Sequence, residues 1–556
     1  MDPVTAVGLA GTVIQFVTFA CSLLSAASEI HNSKTGIPTD LTNILNVHEQ
    51  LQSFRARFIA QDDDATDALA LRDHGDEVEG QTSSLGVLFR ASEADCNRII
   101  KLVEKLKIKS GPLRRWKSFK AALELVWRKG DIEELDKRLQ RTQSALTLHI
   151  CAMTSHYHQS YSADLRKLRD TSMRYQIAQT DKIEDMFRIL QSLETRYLPA
   201  HYEQNRDRTS RKDPIFRPDE IDDLGQQIAE LSVSVDSLTL QQDVLRSLNF
   251  DYRSLRHENI PLPHNRTFDW VYRTENLDNQ HHLLEWLERG YGIFWVSGKP
   301  GSGKSTFMKF LADSPRTRKI LDSWAYPRKV LVASHYFWNA GTDMQKSQQG
   351  LLREILFNIL CQRPDLIHSI GPDTLSDPLS PIVHEWTIDE LRKVLLKIAT
   401  PGHNVQLCLF IDGLDEFSGD HQELCKDLKQ LADASHVKIC VSSRPWNAFQ
   451  DAFGNHPLTT LRMQDFTEPD ILAYVENQLS EHPRWSYLND QPTSGSRLVQ
   501  EVTRRAQGVF LWVVLVTKLL RQGLTNDDTF SDMLKRLEQF PSDLEPFFKQ
   551  MLDRSV

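Results

Sequence analysis

The chain has 556 residues, is 40% hydrophobic and 25% charged, and carries a formal net charge of −9. That length suggests roughly three or four domains of ordinary globular composition. The acidic balance argues against nucleic acid as a partner. The seven cysteines, at 21, 96, 151, 361, 408, 425 and 440, follow no paired spacing, which points to a reducing compartment such as the cytoplasm. No Cys/His cluster has zinc-ligand spacing, and His281-His282 reads as a helix surface pair.

From Pro3 to Ser28 no charged residue occurs. The run from Val4 to Ala27 is long enough to span a bilayer. It lacks the basic start of a secretory signal, since Asp2 stands there instead. Thr5, Gly8, Thr12, Gln15, Thr18, Ser22 and Ser25 draw a polar stripe down one helix face. Residues 4–27 are therefore expected as a buried helix of a bundle, with membrane contact as the competing reading. Helical spacing continues at Leu41-Ile44-Leu45-Val47-His48-Leu51 and at Ile99-Ile100-Leu102-Val103-Leu106. Asp62 to Glu79 reads as an acidic loop. Lys101 to Lys129 is basic, with Trp116 and Trp127 inside it, and reads as a solvated face rather than a lipid-binding helix. Tyr202 to Pro218 has the composition of a linker. Ile221, Leu224, Ile228, Leu231, Val235 and Leu238 then form a short heptad stripe, either coiled-coil-like or packed on neighbouring helices.

The most informative stretch follows. Ile293-Phe294-Trp295-Val296 reads as a buried strand, Gly298-Lys299-Pro300-Gly301-Ser302-Gly303-Lys304-Ser305-Thr306 fits G-x-x-x-x-G-K-S, and Phe307 to Ala312 reads as a helix. A strand, a glycine turn and a helix N-terminus make a phosphate-binding loop. Glycine frees the backbone so that several N–H groups converge on one anion. Lys304 would reach the β- and γ-phosphates of ATP or GTP, and the Ser305 hydroxyl would ligate Mg²⁺. Leu407 to Ile411 is a second apolar run, ending in Asp412-Gly413-Leu414-Asp415-Glu416. Carboxylates at the C-terminal end of a parallel strand sit where open α/β sheets bind ligands. Asp412 is the candidate for Mg²⁺; Asp415 and Glu416 are candidates to orient or deprotonate a water. Val437 to Val441 is a third strand, followed by Ser443-Arg444-Pro445, where Arg444 would sense a γ-phosphate. Beyond it, Pro469–Leu479, Leu498–Ala506, the apolar Val509–Leu520, Leu534–Leu537 and Leu544–Met551 read as helices of a small subdomain.

Taken together these motifs resemble the NACHT domain of fungal signalling NTPases of the STAND, NOD-like receptor class, a nephrocystin-3-like module. The likeness extends from Arg266-Thr267-Phe268-Asp269-Trp270 through the loop and through Tyr336-Phe337-Trp338-Asn339-Ala340-Gly341-Thr342. It continues through Gln345-Lys346-Ser347, Gly350-Leu351-Leu352-Arg353, Asp412 to Glu416 and Ser443-Arg444-Pro445, to Gly508-Val509-Phe510-Leu511-Trp512. Trp116 to Trp127 resembles the helical N-terminal domain fused to such modules, some of which are membrane-attacking death effectors. The resemblance implies a helical N-terminal domain at 1–200 and a linker with a short amphipathic helix at 201–262. It implies a P-loop NTPase core at 263–465, an α/β parallel sheet with helices on both faces, and a helical subdomain with the start of an incomplete winged-helix region at 466–556. It implies a slow hydrolytic switch in a pathway like innate immunity or heterokaryon incompatibility, with self-association through the NACHT module. The alternatives are a membrane-acting effector under NACHT control and a scaffold that binds nucleotide without hydrolysis. The chain departs from the family in lacking a proline beside Gly508.

Overall fold

An uncharged helical run has to be covered on nearly every side, and helix α1, Pro3–Asn32, uncharged up to Ser28, is used in that way. The computed structural model describes residues 3–32, 47–59, 78–109, 129–197, 218–264, 267–273, 282–369, 385–434, 436–488 and 494–555. The chain divides into two compact units, Met1–Leu240 and Gln241–Val556. In the first, Val7, Leu9, Ala10, Val13, Ile14, Phe16, Val17 and Ala20 of α1 are all buried. Phe16 meets Phe54 and Phe58 of helix α2, residues 47–59, edge-on at 5.9 and 5.7 Å. Of the polar stripe, Thr12 is buried and spends its hydroxyl on its own helix, donating to Gly8 O at 3.2 Å, while Gln15 accepts from Arg57 at 2.7 Å. The uncharged run is thus a core helix of its own bundle.

Helices α3 (Val78–Lys109), α4 (Lys129–Tyr175), α5 (Thr180–Tyr197) and α6 (Pro218–Leu248) complete that bundle. The stripe on α6, from Ile221 to Leu238, is buried in the same core. Small residues let α1 and α6 approach: a Cβ on Gly225 would lie 3.0 Å from Val7, and one on Gly11 3.5 Å from Ile221. Arg138 and Asp95 pair at 2.6 Å beside the core. Burial pushes the Asp95 carboxyl up, against the pull of Arg138 and Arg98. The helical spacing at 41–45, the acidic loop to residue 77, the basic tryptophan-bearing stretch at 110–128, the linker at 201–217, Arg266 and His281 lie outside the described residues. Among the described residues, no helix is long and apolar enough to cross a membrane.

In the second unit continuous apolar runs become strands covered on both faces, as a parallel sheet requires. Strands β1 (Gly292–Ser297), β2 (Lys329–Tyr336), β3 (Val405–Asp412), β4 (Val437–Ser443) and β5 (Thr460–Arg462) pair in the order β2-β3-β4-β1-β5, every pair parallel. Around them lie α7 (Leu255–Asn259), α8 (Leu283–Arg289), α9 (Lys304–Asp313), α10 (Pro315–Ala325), α11 (Gln348–Gln362), α12 (Ile388–Ile398), α13 (His421–Ala432) and α14 (Asn447–Phe453). A helical subdomain follows: α15 (Glu468–Ser480), α16 (Ser494–Ala506), α17 (Phe510–Thr525), α18 (Phe530–Glu538) and α19 (Leu544–Ser555). Its core gathers Ile471, Val475, Val502, Trp512, Val516, Met533 and Phe547. The fold is thus a helical N-terminal bundle followed by an α/β unit with a parallel sheet and further helices.

A buried lysine interrupts β4. Lys438 in β4 is fully buried, and its ammonium donates to Trp286 O at 2.8 Å and Leu287 O at 3.0 Å. It thereby satisfies carbonyls at the end of α8, and it lies 3.9 Å from the centroid of Trp324. Burial lowers its pKa to about 8. A depressed lysine pKa favours the neutral form on folding, so the folded state gains stability as pH rises from 8 toward the unfolded value and loses it as pH falls back through 8. Wild type should gain about 3 kcal/mol over Lys438→Met between pH 8 and 10.5. Urea midpoints of the two proteins across that range test this, and a pH-independent difference would overturn it.

Candidate functional site

The strand register brings the candidate residues to one sheet edge. Ser297 pairs with Ser443, so Gly298 and Arg444 leave adjacent strands side by side. Tyr336 pairs with Asp412 and Ile411 with Val441, which sets the end of β3 between β2 and β4. The chain runs outward from β1 to β2 and crosses to the other side of β1 for β5. Such reversals open a crevice at the C-terminal edge of a sheet.

The glycine loop leaves β1 and enters α9 at this edge. Gly301 and Gly303 take φ of +72° and +94°, the left-handed region that glycine tolerates without strain. Pro300 is exposed on the outside of the loop, while Ser302 is buried. Lys304 donates to Gly298 O at 2.9 Å and Lys299 O at 3.1 Å. Burial pushes its pKa down; Asp415, Asp412 and Glu416 pull it up and Arg444 pushes it down again. All four groups therefore lie within electrostatic reach of Lys304. Thr306 is half-buried in the first turn of α9.

Asp412 lies fully buried at the end of β3. Its Oδ1 accepts from Ser442 at 2.5 Å, and its Oδ2 has no hydrogen-bond partner. Burial raises its pKa, opposed by the Ser442 hydrogen bond, by the nearby Ser305 hydroxyl and by the charges of Lys304 and Arg256. A buried carboxylate oxygen left unpaired beside a serine hydroxyl is costly unless something cationic meets it. Ser305 and Asp412 are thus the residues that could hold Mg²⁺. Among the described residues, no group of three or more His, Cys, Asp or Glu could hold a metal. A magnesium ion here would take its remaining ligands from phosphate and water, as that ion commonly does.

The acidic pair is divided between two partners. Asp415 is held by Arg444, whose Nε and backbone N–H donate to it at 2.9 and 3.0 Å. Glu416 accepts from the Asn339 N–H at 2.8 Å. Burial raises its pKa against the pull of that N–H and of Arg256. Spacing along the chain left Asp415, Glu416 and Arg444 as three separate groups; folding pairs two of them. Glu416 is then the carboxylate better suited to accept a proton.

Three features of the site carry no sequence signal. Arg256, on the five-residue α7, lies within electrostatic reach of Asp412 and Glu416. Ser442, one strand over, donates its hydroxyl to Asp412 Oδ1 and accepts the Gly413 N–H at 3.0 Å. The start of α17 and the segment before it meet the loop: Leu511 N–H donates to Gly301 O at 2.9 Å, and Lys299 reaches Gln507 O and Oε1 at 3.5 and 3.4 Å.

The lead-in segment has a structural task. Trp270 stacks on Phe307 of α9 at 5.5 Å and on Phe466 at 5.1 Å. The Phe268 N–H and Trp270 Nε1 both donate to Asp470 of α15, at 3.2 and 3.0 Å.

A family model described as "Nephrocystin 3, N-terminal" matches residues 267–444. The match begins in that lead-in and ends at Arg444. It makes this stretch similar to the nephrocystin-3 N-terminal module. No curated protein matches the chain.

Proposed function

We propose that the second unit binds ATP or GTP with Mg²⁺ at residues 298–306 and hydrolyses it slowly, as the switch of a signalling protein of the NACHT type. The observation that carries this reading is the Asp412 carboxylate, buried beside Ser305 and Lys304 with one oxygen unpaired. In this reading the loop N–H groups and Lys304 bind the phosphates, and Ser305 and Asp412 hold the metal. A water attacks the γ-phosphorus as the β–γ bridge breaks, and its proton passes toward Glu416. The proposal extends to a cytoplasmic setting, in keeping with seven free cysteines. It also extends to self-association through the nucleotide-binding core and to an immunity-like or incompatibility-like pathway.

Glu416→Gln should keep nucleotide while single-turnover hydrolysis falls on the order of 100-fold or more. Equal and negligible rates in both proteins would turn the reading into a scaffold that binds without hydrolysis. Attack on membranes by residues 4–27 is the less favoured alternative, because α1 is buried within its own bundle.

A further inference from the structure

The two arginines at the sheet edge are used unequally. Arg444 follows β4 and is committed to Asp415 by its side chain and its backbone. Arg256 stands on the other side of β3, against the end of β2, and has no such commitment. Its Nε is buried without a hydrogen-bond partner. Among the described residues no carboxylate forms an ion pair with it.

Its position is nevertheless fixed. Lys309, a buried residue of the loop helix α9, donates to His257 O at 2.7 Å and Ile260 O at 3.0 Å, and so closes the end of α7. Gln345 donates to Tyr252 O at 2.9 Å just before α7. The His257 ring packs on Tyr336, the residue paired with Asp412. The Arg256 guanidinium lies 5.9 Å from the ring centroid of Trp338, next to Asn339, whose N–H holds Glu416. A short helix pinned to the phosphate-loop helix thus carries one unpaired cation to the rim shared by Asp412 and Glu416.

A half-buried guanidinium without a hydrogen-bonded anion loses solvation that nothing returns. The planar fork is suited to phosphate oxygens. We propose that Arg256 is a second arginine of the nucleotide site, which recognises the γ-phosphate from the β2 side and so makes the protein prefer triphosphate over diphosphate. This inference rests on the nucleotide reading above. Arg444 would set the acidic loop through Asp415, while Arg256 meets the ligand itself.

The test measures ATP and ADP binding, each with Mg²⁺, to the full chain and to Arg256→Ala. Wild type is expected to prefer ATP. The variant should bind ADP within about twofold of wild type and lose at least tenfold in ATP affinity, so that the preference vanishes. Arg256→Lys should restore part of it. An unchanged ATP/ADP ratio in Arg256→Ala overturns the inference while leaving the nucleotide reading intact. Failure of wild type to bind either nucleotide, or GTP and GDP in their place, overturns that reading, and the inference with it. If Arg256→Ala binds neither, Arg256→Lys decides: ADP binding with a recovered ATP preference supports the inference. ADP binding without that preference, or no binding at all, overturns it.

Discussion

Replacing Lys304 by alanine should weaken nucleoside triphosphate binding by roughly 100-fold and leave the purified protein without bound nucleotide. The ammonium already makes two hydrogen bonds to loop carbonyls, to Gly298 and Lys299, so it is held at the mouth of the loop rather than extended into solvent. Charge-assisted hydrogen bonds contribute about 1.5–3 kcal/mol each, and the loss of about 3 kcal/mol corresponds to that factor. Lys304 is surrounded by Asp412, Asp415 and Glu416. Its removal therefore also takes one cation from a rim that carries three carboxylates, which weakens the attraction for an anionic ligand. Mass-spectrometric identification of nucleotide on wild type and variant, with titration calorimetry, reads the effect. Stoichiometric nucleotide on Lys304→Ala would remove residues 298–306 from their assigned task.

The second large effect is on stability. Trp270→Ala should cost about 3 kcal/mol, within the range for truncating a large aromatic group. The indole joins three parts of the second unit at once: the lead-in that carries it, the loop helix through Phe307, and the helical subdomain through Phe466 and Asp470. Asp470 is buried with its pKa raised, chiefly by desolvation, and the Phe268 and Trp270 donors offset that cost. Truncating Trp270 leaves the carboxylate one donor short and opens space between two rings. Chemical denaturation of the single variants and of Trp270→Ala with Asp470→Ala measures both the loss and the coupling. A change below about 1 kcal/mol for Trp270→Ala would show that the sandwich holds little together.

These residues also show how far the sequence can be read. Strands β1 and β3 are mainly apolar runs and β4 is one broken by Lys438, so they point to a parallel sheet, and the residues that end them meet at one edge because parallel strands all point the same way. The uncharged run of α1, Pro3 to Ser28, has an equally direct meaning once its neighbours cover it. Pairing between neighbouring charges is another matter. Nothing in the string Asp415-Glu416 shows that Arg444 takes the first and the Asn339 N–H the second; that depends on backbone turns at Gly413 and after β4. Arg256 lies in a polar segment too short for periodicity, 156 positions before Asp412 by number (412 − 256). The anchoring of α7 by Lys309 and Gln345 brings it near. Lys438 reads as an interruption of a strand, yet it serves the last turn of a helix that precedes the loop.

The hydrogen bond from Leu511 to Gly301 has a consequence of its own. A Cβ on Gly301 would come within 2.9 Å of Leu511 and 3.0 Å of Leu544, so the loop and the C-terminal helices share a wall with no slack. Work done on one side of that wall is felt on the other. A ligand that reshapes the loop alters the cost of lifting those helices, and anything that lifts them returns the same free energy to the ligand's affinity. Occupancy and posture are then two readings of one equilibrium.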